Sequence, residues 1–111
     1  MRLLVTGGRD FDNGPAVFEV IEALHPAVVI HGSATGADLT AQGAAALLRI
    51  PVLAFPANWA THGKAAGPIR NAKMLKEGKP DLVVAFPGGK GTANMIKLAK
   101  DAGVPVLRWE P

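Results

Sequence analysis

The sequence contains no cysteine. Disulfides and thiolate metal sites are therefore excluded, and an intracellular, cytoplasmic setting is the simpler expectation. No apolar run approaches the roughly 20 residues that cross a bilayer, so no membrane partner is expected. Residues 1–6, MRLLVT, carry one positive charge and too short an apolar run for a signal peptide. The three histidines include no pair at zinc-ligand spacing, and neither a metal site nor a cofactor is expected. Aromatic residues are few, four Phe and two Trp. Two of the four phenylalanines, Phe55 and Phe86, fall in strand-like runs, and so few aromatics weigh against the exposed stacking platform of a single-strand binder. No segment is of low complexity.

What remains is a compact composition. A length of 111 residues fits one domain, 1–111, and lets about two-thirds of the unfolded surface be buried. Hydrophobic residues at 49% and charged residues at 19% argue against disorder. The formal charge of +3 favours anionic partners without choosing among them.

Five apolar runs alternate with helix-like stretches. The runs are RLLVT (2–6), AVVIH (27–31), PVLAF (51–55), DLVVAF (81–86) and VPVLRW (104–109). They do not alternate with polar residues, as expected of parallel strands covered on both faces. Helices are expected at 14–24, 36–49, 67–77 and 91–102, with Pro15 and Pro68 in first turns and Gly78 and Gly103 at ends. Right-handed crossovers make this pattern a single Rossmann-like α/β domain: a five-stranded parallel sheet with helices on both faces.

Seven of the 13 glycines fall just beyond three of these strands. TGGRD (6–10) holds Gly7, Gly8 and Arg9. HGSATGAD (31–38) holds Gly32, Ser33, Gly36 and Asp38. PGGKGT (87–92) holds Pro87, Gly88, Gly89, Lys90, Gly91 and Thr92. In the strand order 3-2-1-4-5, strands 1 and 4 meet at the topological switch point, where ligands of open α/β sheets bind. The three loops then converge on one crevice. Glycine lets a ligand approach the main chain, successive N–H groups form an anion nest, and a helix starting near Gly91 adds free N–H groups and its positive dipole end. A phosphate cradle is the functional expectation for 88–92; a tight-packing turn is the bland one. The loop is neither a Walker A sequence nor G-x-G-x-x-G.

VTGGRDF, HG-x-x-x-GAD, GPIRN and FPGG-x-GT together resemble the SLOG superfamily, which includes the Lonely-guy phosphoribohydrolases and the DNA-processing protein A family. The chain is most similar to the small YspA-like SLOG family of bacteria and phages. The resemblance runs from VTGGRDF to the last strand, and implies a Rossmann-like fold that binds nucleotides or nucleotide-derived ligands. It also implies homodimers or higher oligomers. The Lonely-guy motif PGG-x-GT-x-x-E carries a glutamate that acts at the ribose. Here PGGKGTANM places Met95 at that position, and 88–100 contains no acid. The Lonely-guy arginine matches Arg70, so the anion-binding half is kept and the acid half is missing.

Each remaining candidate has a bland alternative. Asp38, the candidate catalytic residue, could stabilise its helix through the dipole, accept ribose hydroxyls, or do acid–base work. Asp10 is expected in a turn, paired with Arg9; Arg9 could instead reach a phosphate. Arg70 and Asn71 open a helix whose Lys73 and Lys76 read as a solvated face, while a planar guanidinium at Arg70 suits phosphate. His25 reads as a surface loop residue. His31 reads as a strand-end core histidine. Trp59 and His62 lie in a loop of roughly a dozen residues, long enough for a binding loop. They could stack on a base, or Trp59 could cap the core.

Three functions are weighed. The first is binding of a small-molecule nucleotide or nucleotide derivative, as a sensor or sequestering protein without strong catalysis. The second is an enzyme cleaving the N-glycosidic bond of a nucleoside 5′-monophosphate. The third is single-stranded DNA binding. Nucleic acid is the less favoured partner.

Overall fold

Each short apolar run forms a strand and each intervening stretch holds a helix. The computed structural model describes all 111 residues, Met1–Pro111. The order is β1 (Arg2–Thr6), α1 (Gly14–Leu24), β2 (Val28–His31), α2 (Ala37–Leu47), β3 (Val52–Ala54), α3 (Trp59–His62), a 3₁₀ turn (Gly63–Ala65), α4 (Ala66–Gly78), β4 (Leu82–Ala85), α5 (Lys90–Asp101) and β5 (Val106–Arg108). The strands form one sheet in the order β3-β2-β1-β4-β5, and every pairing is parallel.

Neighbouring residues of each central strand serve opposite cores, because side chains alternate across a sheet. Leu3, Val5, Val29 and Val84 face α1 and α2, with Ala37, Ala41, Ala44 and Ala45 of α2 packed against them. Leu4, Ile30 and Val83 face α4 and α5, meeting Met74, Met95 and Ala99. Full burial of each Leu or Ile contributes roughly 1.5–3 kcal/mol. The alanines of α2 let it sit close to the sheet: a Cβ placed on Gly7 would lie 2.6 Å from that of Ala37.

Local chemistry sets the boundaries. Asn13 opens α1 by accepting from the Ala16 N–H at 3.1 Å, with Pro15 in the first turn. The two edge strands are shorter than the apolar runs suggested. Their leading prolines, Pro51 and Pro105, lie outside the strands but still accept from Val29 and Val83. Gly78 is the last residue of α4 rather than its left-handed terminator. A Cβ there would lie 3.3 Å from Ile30, and Lys79 takes the left-handed position at φ 49°. Gly103, at φ +77°, does follow α5 as a left-handed residue. The long stretch after β3 contains α3 and a 3₁₀ turn that run directly into α4.

The β1–β4 pairing ends with Thr6 beside Ala85. The first and last glycine loops therefore leave the sheet side by side, where the strand order reverses.

Candidate functional site

Loops at the switch point are stitched together through backbone. The Gly8 N–H donates to the Pro87 carbonyl at 2.9 Å, and the Gly8 carbonyl accepts from Phe11 at 3.2 Å and Ala37 at 3.3 Å. A Cβ on Gly8 would sit 2.9 Å from the Gly88 Cα, so this approach requires glycine. Gly36, at φ +78°, packs so closely that a Cβ would meet the carbonyls of Gly8 and Arg9. Gly36 thus lies beneath the crevice as a spacer, whereas Gly7, Gly8 and Arg9 line it.

The second loop is held by two buried titratable groups. His31 is fully buried. Its Nδ1 accepts from the Ser33 N–H at 2.9 Å, and its Nε2 bonds Gln42 Oε1 at 2.8 Å. That arrangement requires a neutral ring with its proton on Nε2. Burial lowers the His31 pKa; the Gln42 bond opposes the shift and the Arg70 charge adds to it. Ser33 itself sits at φ +60°. Asp38, in the first turn of α2, points back at this loop. Its Oδ2 accepts from Gly32 at 3.1 Å and Ala34 at 3.3 Å. Its Oδ1 is buried without a partner. Burial pushes the Asp38 carboxyl up to about 6, against the Ala34 N–H, the Arg70 charge and the Gly32 N–H.

Arg70 bridges the crevice from α4. Nη1 donates to the Gly32 carbonyl at 2.6 Å and Nε to Asn71 Oδ1 at 2.9 Å. Asn71, 3% exposed, donates from Nδ2 to the Gly91 carbonyl at 3.1 Å and to Asn94 Oδ1 at 3.0 Å. The amide of Asn71 is thus committed to protein partners: it ties Arg70 and the Gly32 loop to the start of α5. The guanidinium pKa is lowered by burial, with Asp38 opposing the shift.

The fourth loop supplies bare donors. The N–H groups of Gly88, Gly89, Lys90, Gly91 and Thr92 donate to no backbone acceptor, and α5 opens on Gly89 without a side-chain cap. The side chain of Thr92 packs over Gly88, where a Cβ would collide with Oγ1; a Cβ on Gly89 would meet nothing within 4 Å.

Together these elements enclose a crevice of about 1270 Å³. Pro87 to Thr92, Gly32, Ser33, Asp38, Arg70 and Asn71 all line it, joined by Trp59, Lys64 and Asn94. That volume exceeds the roughly 300–1,000 Å³ usual for a small-molecule pocket. Arg9, Lys64, Arg70 and Lys90 line it along with Asp10 and Asp38, a cationic balance suited to an anion.

Several expectations need correction. Arg9 and Asp10 form no ion pair: the protein's one salt bridge joins Lys97 and Asp101 at 2.8 Å. Both residues are exposed at a turn, where water solvates each charge and a pair gains little. His62 is exposed in α3 and does not line the crevice. Trp59 does not cap the core. It is 51% exposed at the crevice wall, over Gly67, whose Cβ would lie 3.5 Å from its ring. Met95 is fully buried among Leu4, Ile30, Met74, Val83 and Ala99. The sequence reading missed Lys64, which the unexpected 3₁₀ turn brings to the wall. It also missed Trp109, which packs edge-on to Phe11 at 5.6 Å and beside Phe86 at 5.7 Å. No local motif marks either residue.

The sequence profile of the YspA, cpYpsA-related SLOG family matches residues 1–62. The chain is also similar to the Gene 61 protein of Mycobacterium phage D29, 36% identical over 121 aligned positions that cover 97% of this chain and 95% of that protein.

Proposed function

The chain belongs to the YspA, cpYpsA-related SLOG family, and from that premise we propose that it binds a nucleotide or nucleotide-derived ligand in the crevice, as a sensor or sequestering protein. Family membership points to nucleotide-related binding or processing. The observation that carries the finer reading is the row of five unpartnered N–H groups at 88–92 in the crevice that Arg70 also lines. Main-chain donors at a helix N-terminus suit phosphate, and a guanidinium adds a planar charged donor. Asp38, 5% exposed with Oδ1 unpartnered, supplies an acceptor for a sugar hydroxyl.

Isothermal titration with the four nucleoside 5′-monophosphates tests this reading. Small molecules released from the heat-denatured protein, identified by mass spectrometry, would name the ligand. Binding of a monophosphate, and none of the parent nucleoside, is the expected result. Equal affinity for both would remove the phosphate cradle.

A second reading, N-glycosidic hydrolysis of a nucleoside 5′-monophosphate, is favoured by one observation. The buried Asp38 carboxyl, raised to about 6, is tuned toward the range of a general acid or base. Base release by the unmodified protein, lost in Asp38→Asn, would promote it over simple binding.

A further inference from the structure

A second cavity adjoins the crevice. It is a groove of about 610 Å³ between α5 and the end of β5. Pro87, Gly88, Gly89 and Thr92 line both cavities, so the glycine loop is a shared lip rather than the floor of one pocket. Beyond the lip the groove is lined by Lys97, Lys100, Arg108 and Trp109. Trp109 is half-buried, packed against Phe11 and Phe86, and its exposed part lines the groove.

Four of the seven lysines line the two cavities, Lys64 and Lys90 the crevice and Lys97 and Lys100 the groove. All seven lysines of the chain, Lys64 to Lys100, belong to the α4–α5 layer and the segments entering it. The α1–α2 layer has none, and α1 carries Glu19 and Glu22. Two acids do line the groove. Asp101 is already bonded to Lys97, and Glu110 lines the groove together with Arg108 and Lys100. The balance remains cationic, with the indole of Trp109 in the lining.

We propose that the two cavities form one composite site for two phosphate-linked nucleoside units, one in the crevice and one in the groove beyond the Gly88–Gly89 lip. The linking phosphate lies over the lip, within reach of the unpartnered N–H groups at the start of α5. Lys100 and Arg108 serve the outer unit by charge, and Trp109 offers its base a surface for stacking, a contact that tolerates any base. The open space at Gly89 lets the chain of atoms cross. The proposal rests on the nucleotide reading of the crevice and adds the size class of the ligand. A free dinucleotide and the end of a longer strand share this chemistry.

Titration of nucleoside 5′-monophosphates against 5′-phosphorylated dinucleotides of the same base separates the two ideas. The dinucleotide should bind at least tenfold more tightly. In a Lys100→Glu/Arg108→Glu variant that gain should vanish, while monophosphate affinity stays within about twofold. The milder Lys100→Gln/Arg108→Gln pair, checked by thermal melting, guards against misfolding and should lose part of the gain. A monophosphate that binds as tightly as the dinucleotide would overturn the composite site and leave the crevice reading standing. A gain kept in both variants would also overturn it, since the outer unit would then lie elsewhere. Failure of both ligands to bind would remove both readings. Octanucleotides separate the sources: affinity that stops rising at two units indicates a free dinucleotide, and further gain indicates a strand end.

Discussion

The guanidinium of Arg70 occupies the space that a side chain on Gly32 would need: a Cβ there would lie 2.7 Å from Cζ. The same group donates to the Gly32 carbonyl. The arginine and the absent side chain are one feature, built from residues 38 positions apart. Gly32→Ala should therefore expel Arg70 from its seat. Overpacking of this kind costs about 1–3 kcal/mol, read as a lower urea midpoint. Arg70→Lys keeps the charge but cannot make the bonds to Gly32 and Asn71 together. A roughly tenfold loss of monophosphate affinity by calorimetry is expected. Unchanged affinity in Arg70→Lys would show that the guanidinium only braces the loops.

The two adjacent glycines of the lip should behave differently. Gly88→Ala drives a methyl into Thr92 and the Gly8 backbone, and should lower stability by about 1–3 kcal/mol. Gly89→Val meets open space, so the fold should persist while the bulk obstructs the N–H row. Circular dichroism melting and nucleotide titration on both proteins check this. A Gly89→Val protein that binds normally would place the phosphate away from the loop.

His31 and Asp38 give opposite pH slopes. The folded His31 pKa is lowered, so below about 6.5 the unfolded chain takes up a proton that the folded chain refuses. That part of stability falls with acidification. Asp38 is raised from 3.8 to about 6. Between those values the folded chain holds the extra proton, so its contribution rises as pH falls. Above pH 6 the ionised Asp38 costs roughly 3 kcal/mol relative to its protonated form. Asp38→Asn should then be more stable than the parent protein by up to about that amount at pH 8, with the gap closing near pH 4. Urea unfolding across that range measures it, and a gap independent of pH would refute the assignment.

Met95→Glu restores the acid of the Lonely-guy motif only in sequence. The side chain points into the α4–α5 core among five apolar neighbours. A carboxylate there lacks a partner, and a loss of about 3–5 kcal/mol is expected. No base release should appear beyond that of the parent protein. Turnover in a stably folded Met95→Glu protein, followed by chromatography, would contradict this.

Self-association is the last expectation. Leu39 and Leu47 of α2 and Ile69 of α4 are 45%, 78% and 44% exposed, apolar surface that a second copy could cover. Light scattering at micromolar concentration should return at least twice the 11.5 kDa chain mass; the mass of a single chain would refute it.

Element order, the parallel sheet and the three glycine loops were legible in the sequence because they rest on local signals. Leu3, Leu4 and Val5 run apolar without alternation because both faces are covered, and the turns after β1, β2 and β4 need glycine where backbones approach. Which side chain reaches which partner was not legible. Met95 sits three residues after Thr92, and only the rotation of α5 against α4 decides that it faces Leu4 rather than the crevice. Asn71 follows Arg70 directly, yet packing of α4 beside α5 commits its amide to Gly91 and Asn94. Arg9 and Asp10 are neighbours and remain unpaired, while Arg70 meets Gly32 across the crevice. Trp109 joins Phe11 only because β5 returns to the sheet beside β4. Local propensity depends on a few consecutive residues, whereas these contacts depend on where whole helices and strands come to rest, and packing of the two cores sets that.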